Sequence, residues 1–119
     1  MGVYLRGQDG SFTDNCLRTN NRAGSASGNG MYTDPNVVFQ GGKISTNTFL
    51  GNTSTAINLK GDGSGSTSSL LIKNNYSQND GDFVSLAGTS AVKIQGNMVP
   101  ETSGGSVVFV QDSNFDLKS

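Results

Sequence analysis

The side chains best suited to chemistry in this chain are its carboxylates: Asp9, Asp14, Asp34, Asp62, Asp80, Asp82, Glu101, Asp112 and Asp116. Cleaving a glycosidic bond takes two carboxylates at a set separation, or carboxylates working with a cation and a basic side chain. Asp9, Asp62 and Asp112 each fall just past an apolar alternation and so tend toward one face, but the intervening segments keep Asp62 apart from the other two. The chain has no histidine. Ser-His-Asp and Cys-His catalysis, imidazole acid–base work and histidine metal sites are therefore excluded. Asp80-Gly81-Asp82 reads as a turn leading into Phe83 rather than a cation site, and no metal or cofactor is expected. Gly61-Asp62-Gly63-Ser64-Gly65 lacks the strand-to-helix setting and the Gly-Lys-Ser/Thr of a phosphate loop, so it reads as a flexible loop.

The elements that would position these residues repeat along the chain. An alternating apolar pair recurs as Val3/Leu5, Val37/Phe39, Ile57/Leu59, Val84/Leu86 and Val108/Val110, followed two residues on by Gly7, Gly41, Gly61, Gly88 and then Asp112. A second apolar stretch ends at Leu17, Ile44, Ile72, Ile94 and Leu117, and the first four of these are followed three residues later by Asn20, Asn47, Asn75 and Asn97. A third apolar position follows at Phe49, Tyr76 and Val99. Period-two alternation predicts strands, and the glycine and asparagine columns predict bends between them. Residues 22–36 read as a long excursion, and the Asp62–Ser69 stretch as an insertion at a joint between strands. No segment has helical periodicity.

If the copies stack at the parallel-strand spacing of about 4.8 Å, each column becomes a ladder, with aliphatics inside and polar residues outside. The asparagine column, Asn20, Asn47, Asn75 and Asn97, then has a reason: asparagine tolerates left-handed backbone angles at a corner, and its amide can bond the equivalent amide one layer away. The outward side of the first strand would present Tyr4, Val38, Asn58, Ser85 and Phe109 in one column, and Arg6, Gln40, Lys60, Ala87 and Gln111 in the next. Aromatic faces beside amide, guanidinium and ammonium donors suit an extended polysaccharide; the same exposed stripe suits packing against another subunit. Tyr4, Arg6, Gln40, Lys60, Phe109 and Gln111 are therefore the candidate glycan-binding or interface residues.

The composition agrees with a stack that is short of large core residues. The 119 residues are 33% hydrophobic, with 17 glycines, no tryptophan and a net charge of -1. They read as one domain over residues 1–119. A single cysteine, Cys16, excludes an intrachain disulfide framework, and no apolar run has the length of a secretion signal or a membrane span. The charge balance gives no basic footprint for nucleic acid and none for insertion into a membrane. Asn52-Thr53-Ser54 and Asn75-Tyr76-Ser77 match the glycosylation sequon, which a chain without a secretion signal would not use.

The pattern apolar-x-apolar-x-Gly followed by apolar-x-Ile-x-x-Asn, with variable loops, resembles the right-handed parallel β-helix of the pectate-lyase-like superfamily. Within it, the richness in Ser, Thr, Asn and Gly is most similar to the shaft of bacteriophage tailspikes and tail fibres. The resemblance implies an all-β solenoid of about five coils, a homotrimer on the virion tail, and engagement of bacterial surface polysaccharide. It also leaves open an extracellular or cell-surface location and an alternative activity, that of a β-helical polysaccharide hydrolase or lyase. The chain departs from the family in having no amphipathic cap at its start and in stopping within a repeat, so it is expected to be a fragment of a longer protein.

Overall fold

The computed structural model of the protein describes residues 2–5, 11–13, 16–18, 28–33, 38–111 and 115–118. All regular structure among them is strand. The chain lays down β1 (Val3–Leu5), β2 (Ser11–Thr13) and β3 (Cys16–Arg18), one in each of three sheets. It then returns with β4 (Met31–Thr33), β5 (Phe39–Gln40), β6 (Lys43–Ser45) and β7 (Thr48–Leu50). The next return gives β8 (Thr55–Lys60), β9 (Thr67–Ser68), β10 (Leu71–Lys73) and β11 (Tyr76–Asp80). After these come β12 (Asp82–Ala87), β13 (Val92–Gln95), β14 (Met98–Thr102), β15 (Val108–Gln111) and β16 (Phe115–Lys118).

The first sheet runs β1-β4-β8-β12-β15, the second β2-β6-β10-β13-β16, and the third β3-β7-β11-β14; β5 and β9 form a short pair of their own. Every strand pairing among the described residues is parallel, and each strand lies beside its counterpart from the previous return. Alternation decides what faces inward. In β13, Val92 and Ile94 are buried while Lys93 and Gln95 are exposed, the pattern of a half-buried strand. Register then stacks like on like: Phe12, Ile44, Ile72, Ile94 and Leu117 form one column, and Val3, Met31, Ile57, Val84 and Val108 another. Ile44, Ile57, Ile72, Val84, Leu86 and Ile94 sit in one continuous core with Phe49 and Phe83. Burying one such aliphatic side chain contributes about 1.5–3 kcal/mol. The core forms because the columns are in register, since no single return of the chain could enclose them.

Three columns differ from the sequence expectation. In the first sheet the strand between β1 and β8 is Met31–Thr33, not the Val37/Phe39 pair, so part of the expected excursion over residues 22–36 is a core strand. The corner before it sets this register: Gly30 N–H donates to the Thr55 carbonyl at 2.9 Å, and a side chain at Gly30 would press on the Ala56 carbonyl. Phe39 is buried as well, but in β5, opposite Thr67. In the second sheet the Ile44 column begins with Phe12, whereas Leu17 stacks on Phe49 in the third. Alternation has the same period in every sheet, so an apolar residue does not by itself reveal which sheet it joins. Finally, Tyr76 lies opposite Thr48 and Met98, and the residue that stacks on Phe49 is Ser77.

The glycines at the end of the first-sheet strands are set by close approach. A Cβ at Gly61 would overlap the Gly88 carbonyl oxygen, and one at Gly88 the Gly61 carbonyl oxygen. Gly41 is not in this column; its N–H donates to Ser68, beside the short β5–β9 pair. Gly7 and Asp112 lie outside the described residues.

Candidate functional site

The first sheet holds part of the expected set in its register, although Tyr32 and Asn58 in the same column are buried. Parallel register places Tyr4, Tyr32, Asn58, Ser85 and Phe109 in one column, and Lys60, Ala87 and Gln111 in the neighbouring one. Tyr32, which sequence reasoning left in a loop, takes the place assigned to Val38. It is only 7% exposed, with the Lys60 ammonium 5.7 Å from its ring centroid, within cation–π range. Where β4 stops at Thr33, the Thr33 hydroxyl takes over from the strand ladder, accepting the Lys60 N–H at 2.8 Å. Asn58 is buried, and its amide donates to Asn29 Oδ1 at 3.3 Å; Asn58 Oδ1 has no hydrogen-bond partner among the described residues.

Gln40 does not join this face. It lies in β5 opposite Ser68, and its Nε2 donates to the Gly65 carbonyl at 2.7 Å, steadying the loop over residues 61–66. Arg6 and Asn20 lie outside the described residues. Tyr4, Lys60, Phe109 and Gln111 thus lie in the first sheet, with Tyr4 and Phe109 on its opposite edge strands, and Gln40 lies in another pair.

The carboxylates work locally. Asp62, in the loop after β8, accepts from Ser64 N–H at 2.9 Å, Ser64 Oγ at 2.5 Å and Ser66 Oγ at 2.8 Å. These donors, with the Ser64 hydroxyl contributing most, lower its pKa to about 2. Asp80 is fully buried; its Oδ1 accepts from both the backbone and the side-chain N–H of Asn52, at 2.8 and 2.7 Å, and its Oδ2 accepts from Ser77 Oγ at 2.5 Å. Asp82 accepts the Ser106 N–H at 2.6 Å. Among the described residues, no group of three or more carboxylates and cysteines is arranged to hold a metal ion. Asp9, Asp14, Asp34 and Asp112 lie outside the described residues.

The asparagine column is present and polar to its centre. Asn75 Oδ1 accepts the backbone and side-chain N–H of Asn47, at 2.9 and 3.1 Å, while Asn97 Oδ1 does the same for Asn75, at 2.8 and 3.0 Å. Asn75 and Asn97 also donate to the Ile44 and Ile72 carbonyls, each at 3.0 Å. The expected left-handed backbone, however, belongs to the residue before each asparagine: Thr46 (φ 57°), Asn74 (φ 56°) and Gly96 (φ 64°). The preceding residue makes the bend, and the asparagine then points inward to cap the stacked backbones.

The same device recurs between the third and first sheets, where sequence reasoning missed it. Left-handed Gly28, Gly51 and Asn79 precede the buried Asn29, Asn52 and Asp80. Both sequon asparagines, Asn52 and Asn75, are buried with their amides engaged inside the stack.

No protein-family model matches the chain, and no curated protein or solved structure matches it.

Proposed function

We propose that the chain is a right-handed parallel β-helix of about five coils, a segment of a bacteriophage tailspike or tail-fibre shaft that forms a homotrimer and engages bacterial surface polysaccharide. The observation that carries this reading is the buried Asn47-Asn75-Asn97 ladder running across parallel strands in register. Such a ladder stabilises repetition along an axis, giving a rigid element whose outer faces are flat and whose length is set by the number of copies. A long glycan needs that kind of surface more than it needs a deep pocket. Exposed apolar side chains, including Met98 at 63% and Leu117 at 55%, suit contact with further subunits.

The described carboxylates favour binding over cleavage. Asp80 spends both oxygens on nearby donors, and Asp62 and Asp82 one oxygen each, whereas a glycosidase keeps a pair free to face the scissile bond. Light scattering of the purified chain, followed by titration with lipopolysaccharide O-chains and capsular polysaccharides, tests the proposal. A trimeric mass and saturable binding without new reducing ends are expected. A monomer that binds none of these polymers would overturn the reading, and release of new reducing or unsaturated ends would replace it with a hydrolase or lyase.

A further inference from the structure

The second sheet has an outer face of different character. Ile44, Ile72 and Ile94 are buried, and the residues beside them in their strands fall in two flanking rows. In register, one row reads Lys43, Leu71, Lys93 and Asp116, and the other Ser45, which is buried, Lys73, Gln95 and Lys118. Four of the chain's five lysines thus fall on one sheet of a molecule whose net charge is -1. Lys43 and Lys93 are exposed and Lys73 is half-exposed. Among the described residues, none of these three forms an ion pair.

The spacing is that of the stack. Lys43 and Lys93 stand two strands apart, about 10 Å along the axis, with Leu71 between them. Beside this row lie two shallow depressions, of about 360 and 200 Å³, which meet at Ala91 and Lys93 and so form one trough across β10, β13 and β16. Leu71 gives that trough an apolar wall, and Ser69 a hydroxyl.

We propose that this face binds a linear acidic polysaccharide laid along the axis of the stack, with Lys43, Lys73 and Lys93 meeting carboxylates on successive repeat units and Leu71 meeting a sugar-ring face. The inference rests on the polysaccharide-engaging reading above and names its ligand class. A lysine ammonium is a compact charge with three donors, suited to a carboxylate flanked by hydroxyls. Nucleic acid fits less well. A duplex carries one charge about every 1.7 Å of axis, denser than Lys43, Lys73 and Lys93, which come one per strand about 4.8 Å apart, and Asp116 lies in the same sheet.

The test uses the whole chain with polygalacturonate, its carboxyl-reduced neutral form, a neutral O-chain and a single-stranded oligonucleotide. Binding to polygalacturonate is expected to weaken about tenfold or more in the Lys43→Gln/Lys73→Gln/Lys93→Gln variant and to fall similarly between about 0.05 and 0.5 M salt. Carboxyl reduction should have the same effect. Lys93→Arg should retain binding and Lys93→Glu should lose it, with circular dichroism confirming that each variant folds. Equal affinity for the reduced polymer, or an unchanged triple variant, overturns this assignment. If the neutral O-chain still binds in that case, the broader reading survives; if no polysaccharide binds, both fail. Tighter binding of the oligonucleotide than of polygalacturonate would reassign the face to nucleic acid.

Discussion

At the corner between the second and third sheets, a left-handed residue is followed by Asn47, Asn75 or Asn97; at the corner between the third and first sheets, another is followed by Asn29, Asn52 or Asp80. The backbone solution is shared and the chemistry is not. The first corner is a run of identical amides, each passing its hydrogen bonds to the next layer. The second ends on a buried carboxylate that collects donors from Asn52 and Ser77. An amide ladder spreads its polar groups evenly, whereas the carboxylate concentrates several donors on one group whose removal takes away the acceptor they share. The second corner is therefore the more fragile.

The largest expected effect is at that carboxylate. Asp80→Ala removes the acceptor that Asn52 and Ser77 share in a dry interior, at a cost of about 3–5 kcal/mol, to be read as a lower urea midpoint. Asp80→Asn keeps an acceptor for Asn52 and lets the Ser77 hydroxyl rotate, so it is expected to cost only about 1 kcal/mol. Equal losses in the two variants would mean that charge, not hydrogen bonding, holds this corner. Next is Asn75→Ala, which breaks the amide ladder in its middle and is expected to cost about 2–3 kcal/mol. A loss larger than that of Asp80→Ala would reverse the ranking of the corners.

A smaller effect of opposite sign is expected at Thr46, an exposed β-branched residue in the left-handed region. Its counterpart one layer on is Asn74, so Thr46→Asn should relieve strain and raise stability by about 1 kcal/mol, seen as a higher thermal midpoint. The smallest effect is at the loop joint between the first and second sheets. With its pKa lowered to about 2 from 3.8, the Asp62 carboxylate favours the folded loop fully above about pH 4, and that contribution is lost as pH falls through about 2. The Ser64 amide resonance should titrate with a midpoint near pH 2; a midpoint near 3.8 would show that the loop hydrogen bonds do not hold the carboxylate.

The difference between the corners also explains what could be read from the sequence. Asn47, Asn75 and Asn97 stand at a fixed distance from Ile44, Ile72 and Ile94, so identical residues on identical spacing were visible as a column. At the other corner the third member is an aspartate, and the strands before it differ in length, β7 having three residues and β11 five. Repetition there is in shape rather than in residue type. The same limit applies to Phe12 and Leu17, and to Met31–Thr33 against Phe39: alternation identifies a strand, but only pairing assigns it to a sheet. The first-sheet register of Lys60 and Phe109 was legible, but Gln40 was misplaced with Phe39. The lysines of the second sheet flank the Ile44, Ile72, Ile94 and Leu117 column in the sequence, yet they share a sheet only once β6, β10, β13 and β16 pair side by side.

Both the polysaccharide reading and the lysine face depend on a stack held rigidly in register by its corners. Hydrogen–deuterium exchange of the backbone amides of Asn47, Asn52 and Asn75 tests this most directly, because each is bonded to a side chain of the next layer. The account predicts that all three exchange only through global unfolding, with protection equal to the most protected core strands. Exchange at the rate of the exposed loop over residues 61–66 would contradict it, since the layers would then slide or part while the chain remained folded.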